Sequence, residues 1–368
     1  MAKKKLIYFL LLLTIYIWPF GQLLAFTESA FPFTVYLLDL TILLVFISLV
    51  FSNKRKLIIS GPIVKSLALF LGIAILSLLI NIKQGISSGL FLSVLYLIRL
   101  IIYPSLFFAG RYIGFDRLKK PLLISIVIFS LLSLFQYIVF PDMRYLKNLG
   151  FDDHYFRLIG SFYDPNFTGA VLAGIALYFV GKNKLIFSLP FIGILALTFS
   201  RASYLAFFLG LIYLFFTRKK IILPLLFVLL GAIIYLIPKP SGEGVNLLRT
   251  FSISSRLGTW QQGVNLFLEK PVIGWGYNTL RLVNGSRFQI DSSYIYLLAT
   301  TGVIGFLSFI NLLSKLYKNV KNEGIKVLVF SLLIHSLFNN SLFYIWILAL
   351  FWITLGIGQE ETKAYKQD

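Results

Sequence analysis

Apolar runs of roughly 15 to 25 residues recur from one end of the chain to the other, and most are long enough to cross the hydrocarbon core of a bilayer. A lipid-spanning segment must satisfy its own backbone, which leaves helices or a closed barrel. These runs are continuously apolar, whereas a barrel strand alternates and is only about ten residues long, so helices are expected. Cutting the chain at its polar interruptions predicts helices over 6–26, 33–51, 63–80, 86–110, 121–140, 167–181, 185–199, 202–216, 221–237, 294–313, 325–338 and 342–358. Charged residues make up 13% of the chain, against about 25% in a soluble domain, which excludes a soluble globule. The fold class expected is an all-α polytopic membrane protein of about 12 transmembrane helices, with residues 1–368 as a single integral membrane domain.

A net charge of +20 would in isolation suggest nucleic acid, so its distribution decides. With the amino terminus placed in the cytoplasm, 22 of the 34 cations fall on that side, eleven fall on the other, and Arg99 lies within a helix. The positive-inside rule then places both termini inside. Most of the charge orients the bundle, and no nucleic-acid partner is expected. Lys3 to Lys5 followed by an apolar run also resembles a secretory signal, but the run extends to about Phe26 without a small-residue cleavage site, and a retained first helix is expected. The chain has no cysteine, which excludes disulfides and thiolate ligands or nucleophiles. Its two histidines, His154 and His335, are far apart, and no metal site is expected.

Two long outer segments, 141–166 and 238–293, interrupt the helix series. Loops of that length are usually functional or disordered. Their aromatic content, including Tyr145, Phe151, Tyr155, Trp260 and Trp275, favours an ordered cap over the site. Within the second, Trp260, Val264 and Phe267 recur at helical intervals and predict an amphipathic helix over Thr259–Glu269, stopped by Pro271 and followed by a Gly274-Trp275-Gly276 turn. Arg157, Arg201 and Arg256 all fall on the outer side, and a guanidinium suits bidentate binding of phosphate or carboxylate oxygens. A lone interfacial arginine commonly snorkels. Arg201 fits that reading least, because it sits in a very short break between two apolar helices on the side where positive charge is disfavoured.

Four motifs in order carry a resemblance. They are Arg157-Leu-Ile-Gly160-Ser-Phe-Tyr-Asp164-Pro165-Asn166; Ser200-Arg201 at a helix end; Arg256-Leu-Gly-Thr-Trp260 with Phe267-Leu-Glu269-Lys-Pro271-Val-Ile-Gly274-Trp-Gly276; and Asp291-Ser-Ser-Tyr294 with Gly302-Val-Ile-Gly305. Together they resemble the O-antigen ligase and polymerase family of bacterial membrane glycosyltransferases. The resemblance implies a GT-C-like bundle in the cytoplasmic membrane with a long, partly helical outer loop and the active site between loop and bundle. It further implies an undecaprenyl-pyrophosphate-linked glycan as donor, a glycan or lipid acceptor whose hydroxyl attacks the anomeric carbon with inversion, and no metal or other cofactor.

Departing pyrophosphate gains negative charge, which preorganised cations stabilise best where water is scarce. Arg201 and Arg256 are the expected holders of that charge, and Arg157 is either a further phosphate contact or a partner of Asp164. Asp164, Asn166 and Trp260 are expected substrate contacts alongside Arg157, although Asn166 also suits a helix cap. Where the ligases of the family carry a histidine to activate the acceptor, eleven residues before Gly302, this chain has Asp291. A carboxylate of suitable pKa serves as a base, yet Asp291 before Ser292-Ser293 also suits a helix N-cap. The missing histidine moves weight from a lipid A ligase toward a polymerase or a ligase for another acceptor.

Other polar residues have plainer readings. Asp39 lies nearer the outer face than Arg99, which leaves their pairing open; an intramembrane charge is nonetheless a functional candidate. His335 is expected to contact neighbouring helices, and Asp152-Asp153-His154 to lie in a solvated loop. A secondary transporter or flippase of an anionic substrate would share the helix count, but no half-to-half repeat is visible in the sequence. A scaffold leaves the outer arginines without a purpose.

Overall fold

A computed structural model of the protein describes residues 2–26, 34–53, 55–59, 61–82, 87–218, 222–238, 242–280 and 289–359. Among the cations counted above, Lys54, Lys83, Lys219, Lys220, Lys239, Arg281, Arg287, Lys363 and Lys366 lie outside the described residues.

Each apolar run becomes a helix. In chain order these are α1 (Ala2–Ile17, continued by a 3-10 stretch to Leu24), α2 (Leu37–Val50), a short α3 (Arg55–Ile58), α4 (Pro62–Asn81), α5 (Ser87–Ile102), α6 (Ser105–Ile113) and α7 (Phe115–Val139). There follow α8 (Pro165–Gly181), α9 (Leu185–Ala196), α10 (Arg201–Arg218), α11 (Ile222–Leu236), α12 (Phe251–Glu269), α13 (Ser293–Lys318), α14 (Glu323–Phe338) and α15 (Ile345–Ile357). Among the described residues, five helical stretches are long and apolar enough to cross a membrane, at 4–24, 62–81, 90–113, 115–139 and 293–318; six shorter apolar helices accompany them. The chain is therefore an all-α integral membrane protein. Sheet among the described residues is confined to one antiparallel pair, β1 (Ala25–Phe26) and β2 (Val35–Tyr36).

The run expected as one helix over 86–110 is broken after Ile102, at Tyr103-Pro104, where proline removes a backbone donor. α15 is buried at every residue, and it packs on α6. A helix apolar and buried all round belongs to the core of a bundle. α8 lies against α9, α10 and α14, so its amino-terminal end, where the site begins, is fixed from three sides.

α13 is kinked at Gly302, whose φ of 64° and ψ of −172° interrupt the helical ladder. A side chain there would collide with the carbonyl of Val272, so only glycine permits this approach. The backbone groups exposed by the kink are taken by the loop after α12: Val303 N donates to Pro271 O at 2.8 Å, Trp275 N to Ala299 O at 3.0 Å and Gly276 N to Thr300 O at 2.9 Å. From α4, Asn81 Nδ2 donates to Gly274 O at 3.1 Å and Ser77 Oγ lies 2.6 Å from Ile273 O. The Gly274-Trp275-Gly276 turn thus fastens α12 to the bundle.

The amphipathic helix begins at Phe251, eight residues before the expected start, and Val264 does not share the inward face of Trp260 and Phe267 but is exposed. The pairing left open between Asp39 and Arg99 is made. Arg99 Nε donates to Asp39 Oδ1 at 3.0 Å and its terminal nitrogen to Oδ2 at 2.7 Å, while Tyr103 OH donates to Oδ1 at 2.8 Å.

Candidate active site

The site is built around three helix starts. Asp164 is the N-cap of α8, accepting from Asn166 N at 2.6 Å and Phe167 N at 3.1 Å, with Pro165 in the first turn, where its missing donor costs nothing. Asn166 is therefore not the cap. Its side chain is free for another use, and Ser200 Oγ donates to its Oδ1 at 2.9 Å. That bond leaves the amide nitrogen of Asn166 as an available donor. The loop ahead of Asp164 is held from α7, where Gln136 Oε1 accepts from Ile159 N and Gly160 N at 2.9 and 3.1 Å.

Arg201 opens α10 after a turn in which Phe199 adopts a left-handed φ of 48°. Two guanidiniums read the carbonyls of that turn. Arg157 Nε donates to Thr198 O at 3.0 Å and its terminal nitrogen to Phe199 O at 3.3 Å; Arg249 donates to the same Phe199 oxygen at 3.1 Å. Arg157 is buried and, among the described residues, forms no ion pair with a carboxylate, so the expected Arg157–Asp164 partnership is not an ion pair. Arg201 donates to Leu247 O at 3.1 Å and to Ser252 Oγ, in the first turn of α12, at 2.6 Å.

One turn further along α12, Arg256 donates to Asn339 Oδ1 at 3.2 Å. Asn339 ends α14, and its Nδ2 lies 3.3 Å from Nε2 of the fully buried His335, whose Nδ1 is 2.7 Å from Ser341 Oγ. The expectation of helix contacts for His335 is met, and those contacts lead to Arg256. Asp291 does not cap α13: Ser292 does, with Ile295 N donating to its Oγ at 3.4 Å. Asp291 instead faces α12. Its Oδ2 is 3.3 Å from Thr259 Oγ1, and Trp260 Nε1 donates to its carbonyl at 2.9 Å.

The electrostatics are those of an anion site. Burial, and then the neighbouring Arg249 charge, depress the Arg157 pKa to about 9. Burial followed by Arg201 and Arg256 lowers Arg249 to about 10. Burial lowers Arg256 as well, opposed by Asp291 and Asp164. Of the four guanidiniums, Arg157, Arg201, Arg249 and Arg256, the buried Arg157 and the half-buried Arg249 keep pKa values above neutrality although their cationic neighbours disfavour their charge. Among the described residues, none of the four forms an ion pair with a carboxylate. Burial raises Asp164 against the pull of its two capping amides, and raises Asp291 against the pull of Arg256. His154, expected in solvent, is buried; burial, Arg157 and Arg249 push its pKa down to about 3. Among the described residues no three His, Asp or Glu side chains converge as a metal shell requires.

The structure thus gathers Arg157, Asp164, Asn166, Arg201, Arg256, Trp260 and Asp291 around the starts of α8 and α10 and the inner face of α12. It adds Arg249, Ser200, Thr259 and Asn339. Arg249 was visible in the sequence only as one of eleven outer cations, and nothing local marks it.

Residues 186–310 match the family model described as O-antigen ligase. This segment is similar to the O-antigen ligases. It holds Ser200-Arg201, Arg249, Arg256, Trp260, Asp291 and the Gly302 kink, and so bears out the resemblance drawn from the motifs, while Arg157, Asp164 and Asn166 precede it. No curated protein matches the chain. The match supports a glycan-transfer role in surface polysaccharide synthesis.

Proposed function

We propose that the protein transfers or polymerises glycan at the outer face of the bacterial cytoplasmic membrane, with both termini in the cytoplasm, from an undecaprenyl-pyrophosphate donor to an acceptor hydroxyl. The observation that carries this reading is the group of four arginines that, among the described residues, form no ion pair with a carboxylate, three of them buried enough to have their pKa values lowered. Such a group gains stability from a multiply charged anion and offers pyrophosphate what a divalent cation offers elsewhere. The reading is accordingly metal-independent.

In the reaction, the acceptor oxygen bonds to the anomeric carbon from the face opposite the pyrophosphate, and the configuration inverts. The bond from that carbon to the phosphate oxygen breaks, and the electron pair leaves with the lipid pyrophosphate, stabilised by Arg201 and Arg256. The acceptor proton passes to Asp291. A raised carboxyl pKa makes Asp291 a stronger base than an exposed aspartate. Arg157 and Arg249 hold the Phe199 turn from which Arg201 projects, and in this reading Asn166 Nδ2 and Trp260 contact the glycan.

The test is reconstitution in vesicles with a short undecaprenyl-pyrophosphate glycan. Longer lipid-linked products identify a polymerase, and product on a second acceptor identifies a ligase. Arg201→Ala and Arg256→Ala are expected to abolish either product while inserting normally. Unchanged product in both variants, or donor moved intact across the bilayer, would overturn the assignment.

A further inference from the structure

α12 has three faces, and only two are accounted for. Arg256, Trp260, Gly263 and Phe267 look toward the bundle; Gly263 packs so closely on α13 that a Cβ there would lie 2.7 Å from Ile295 Cγ2. Ser254, Gln261, Gln262 and Asn265 form an exposed polar face. Between them runs an exposed apolar stripe, Ile253, Leu257, Val264 and Leu268, spaced by four, seven and four residues as one side of a helix requires. Leu257 and Leu268 are 55% and 65% exposed.

We propose that this stripe is seated in the interfacial region of the bilayer leaflet on the side of the site, so that α12 lies on the membrane surface rather than above it. Three observations select lipid as the occupant. First, the stripe continues into membrane-facing surface: Val272, exposed just beyond α12, accepts from Ile304 N at 3.4 Å, and Ile304 and Leu307 are exposed apolar residues of the spanning helix α13. Second, Lys270 Nζ lies 3.9 Å from the centre of the Trp275 ring and donates to Asn81 Oδ1 at 2.8 Å, an arrangement of tryptophan and lysine that suits the headgroup level. Third, Leu248 ahead of α12 is 87% exposed and Tyr235 near the end of α11 is 82% exposed, which extends the apolar margin past the other end of the helix. A helix with one apolar and one polar exposed face binds an interface by burying the apolar one about 5–10 Å deep.

The consequence for the site is depth. Arg256 neighbours Leu257 on the adjoining face, so a seated stripe holds its guanidinium at the level of lipid phosphates. That consequence rests on the proposed function for the identity of the anion; the seating does not.

The chain contains no cysteine, so single cysteines report without background. Ile253→Cys, Leu257→Cys and Leu268→Cys, with Ser254→Cys, Gln262→Cys and Asn265→Cys as the polar counterparts, are to be spin-labelled in the full-length protein. They are then reconstituted in vesicles of phosphatidylethanolamine and phosphatidylglycerol. The ratio of collision with oxygen to collision with a water-soluble nickel chelate is expected to be several-fold higher at the three stripe positions. Equal chelate access on both faces would overturn the proposal. So would dipolar broadening between labels on the stripe, which would assign it to a second copy of the chain. The measurement uses no glycan, so its outcome is independent of whether transfer is observed.

Discussion

Arg157 and Arg249 donate to one and the same oxygen, the carbonyl of Phe199, at 3.3 and 3.1 Å. The left-handed turn that presents Arg201 is thereby held by two guanidiniums from different loops. Their roles separate on mutation. Arg157 is buried and also satisfies Thr198 O, so Arg157→Ala leaves a buried carbonyl unpaired at a cost of about 1–3 kcal/mol. Arg157→Lys is expected to rescue little, because Nε and a terminal nitrogen serve different carbonyls. Arg249 is less buried. Arg249→Ala is expected to spare most stability but to lower transfer about tenfold, because the turn that presents Arg201 loses one charge-assisted bond. Unfolding midpoints in detergent, set beside steady-state kinetics, distinguish the two.

On the proposed function, with Asp291 as the base, transfer has a pH signature. As a base it must be ionised, and burial raises its pKa against the opposing charge of Arg256. The rate is therefore expected to rise with pH through a limb displaced above the ordinary aspartate value of about 3.9. Arg256→Lys, which keeps a charge but loses the planar fork, should leave residual activity on which a shifted limb can be read. Asp291→Asn should remove the limb and reduce transfer by about 10²–10⁴-fold. Full activity in Asp291→Asn would show that the residue only fastens Thr259 and Trp260.

The helices were legible because lipid imposes a length and an apolarity that no other setting demands, and the Pro271 stop and the Gly274-Trp275-Gly276 turn follow from local backbone chemistry. Assignments that depended on which of several neighbours fills one role went astray. Asn166 and Asp291 both resemble caps, but geometry gives those caps to Asp164 and Ser292. Trp260, Val264 and Phe267 share one apolar periodicity, which marks a helix without saying what covers each residue, and Val264 is the exposed one. Arg249 reaches Phe199 across 50 residues, a contact with no local signature.

His154 makes acid stability a test of loop burial. Its pKa is near 6.5 in an unfolded chain and about 3 in the folded protein, where burial, Arg157 and Arg249 keep it neutral. Between those values the unfolded state binds a proton that the native state refuses. Stability therefore falls as pH falls from about 6.5 toward 3, by up to about 1.4 kcal/mol for each unit. His154→Gln is expected to flatten the curve across that window and to leave stability near pH 7 changed by much less. Unfolding midpoints measured from pH 7 downward give the comparison; parallel slopes in the two proteins would return His154 to solvent.

The Asp39–Arg99 pair is a second buried charge system, and it lies between α2 and α5. Asp39 accepts from Arg99, Tyr103 and the Tyr36 backbone amide, while Arg99 also donates to Thr34 O at 2.7 Å. Every acceptor position on the carboxylate is used, so Asp39→Ala strands a guanidinium inside the bundle, a loss of about 3–5 kcal/mol. Removing both charges costs less, because an apolar pair of similar volume avoids desolvating either ion. Asp39→Leu combined with Arg99→Leu should therefore unfold at a higher SDS fraction than Asp39→Leu alone. Additive losses would mean that the two side chains are not coupled. Per-molecule transfer activity is expected to survive in the folded fraction of the double variant, which separates a helix-pairing role from a part in the reaction.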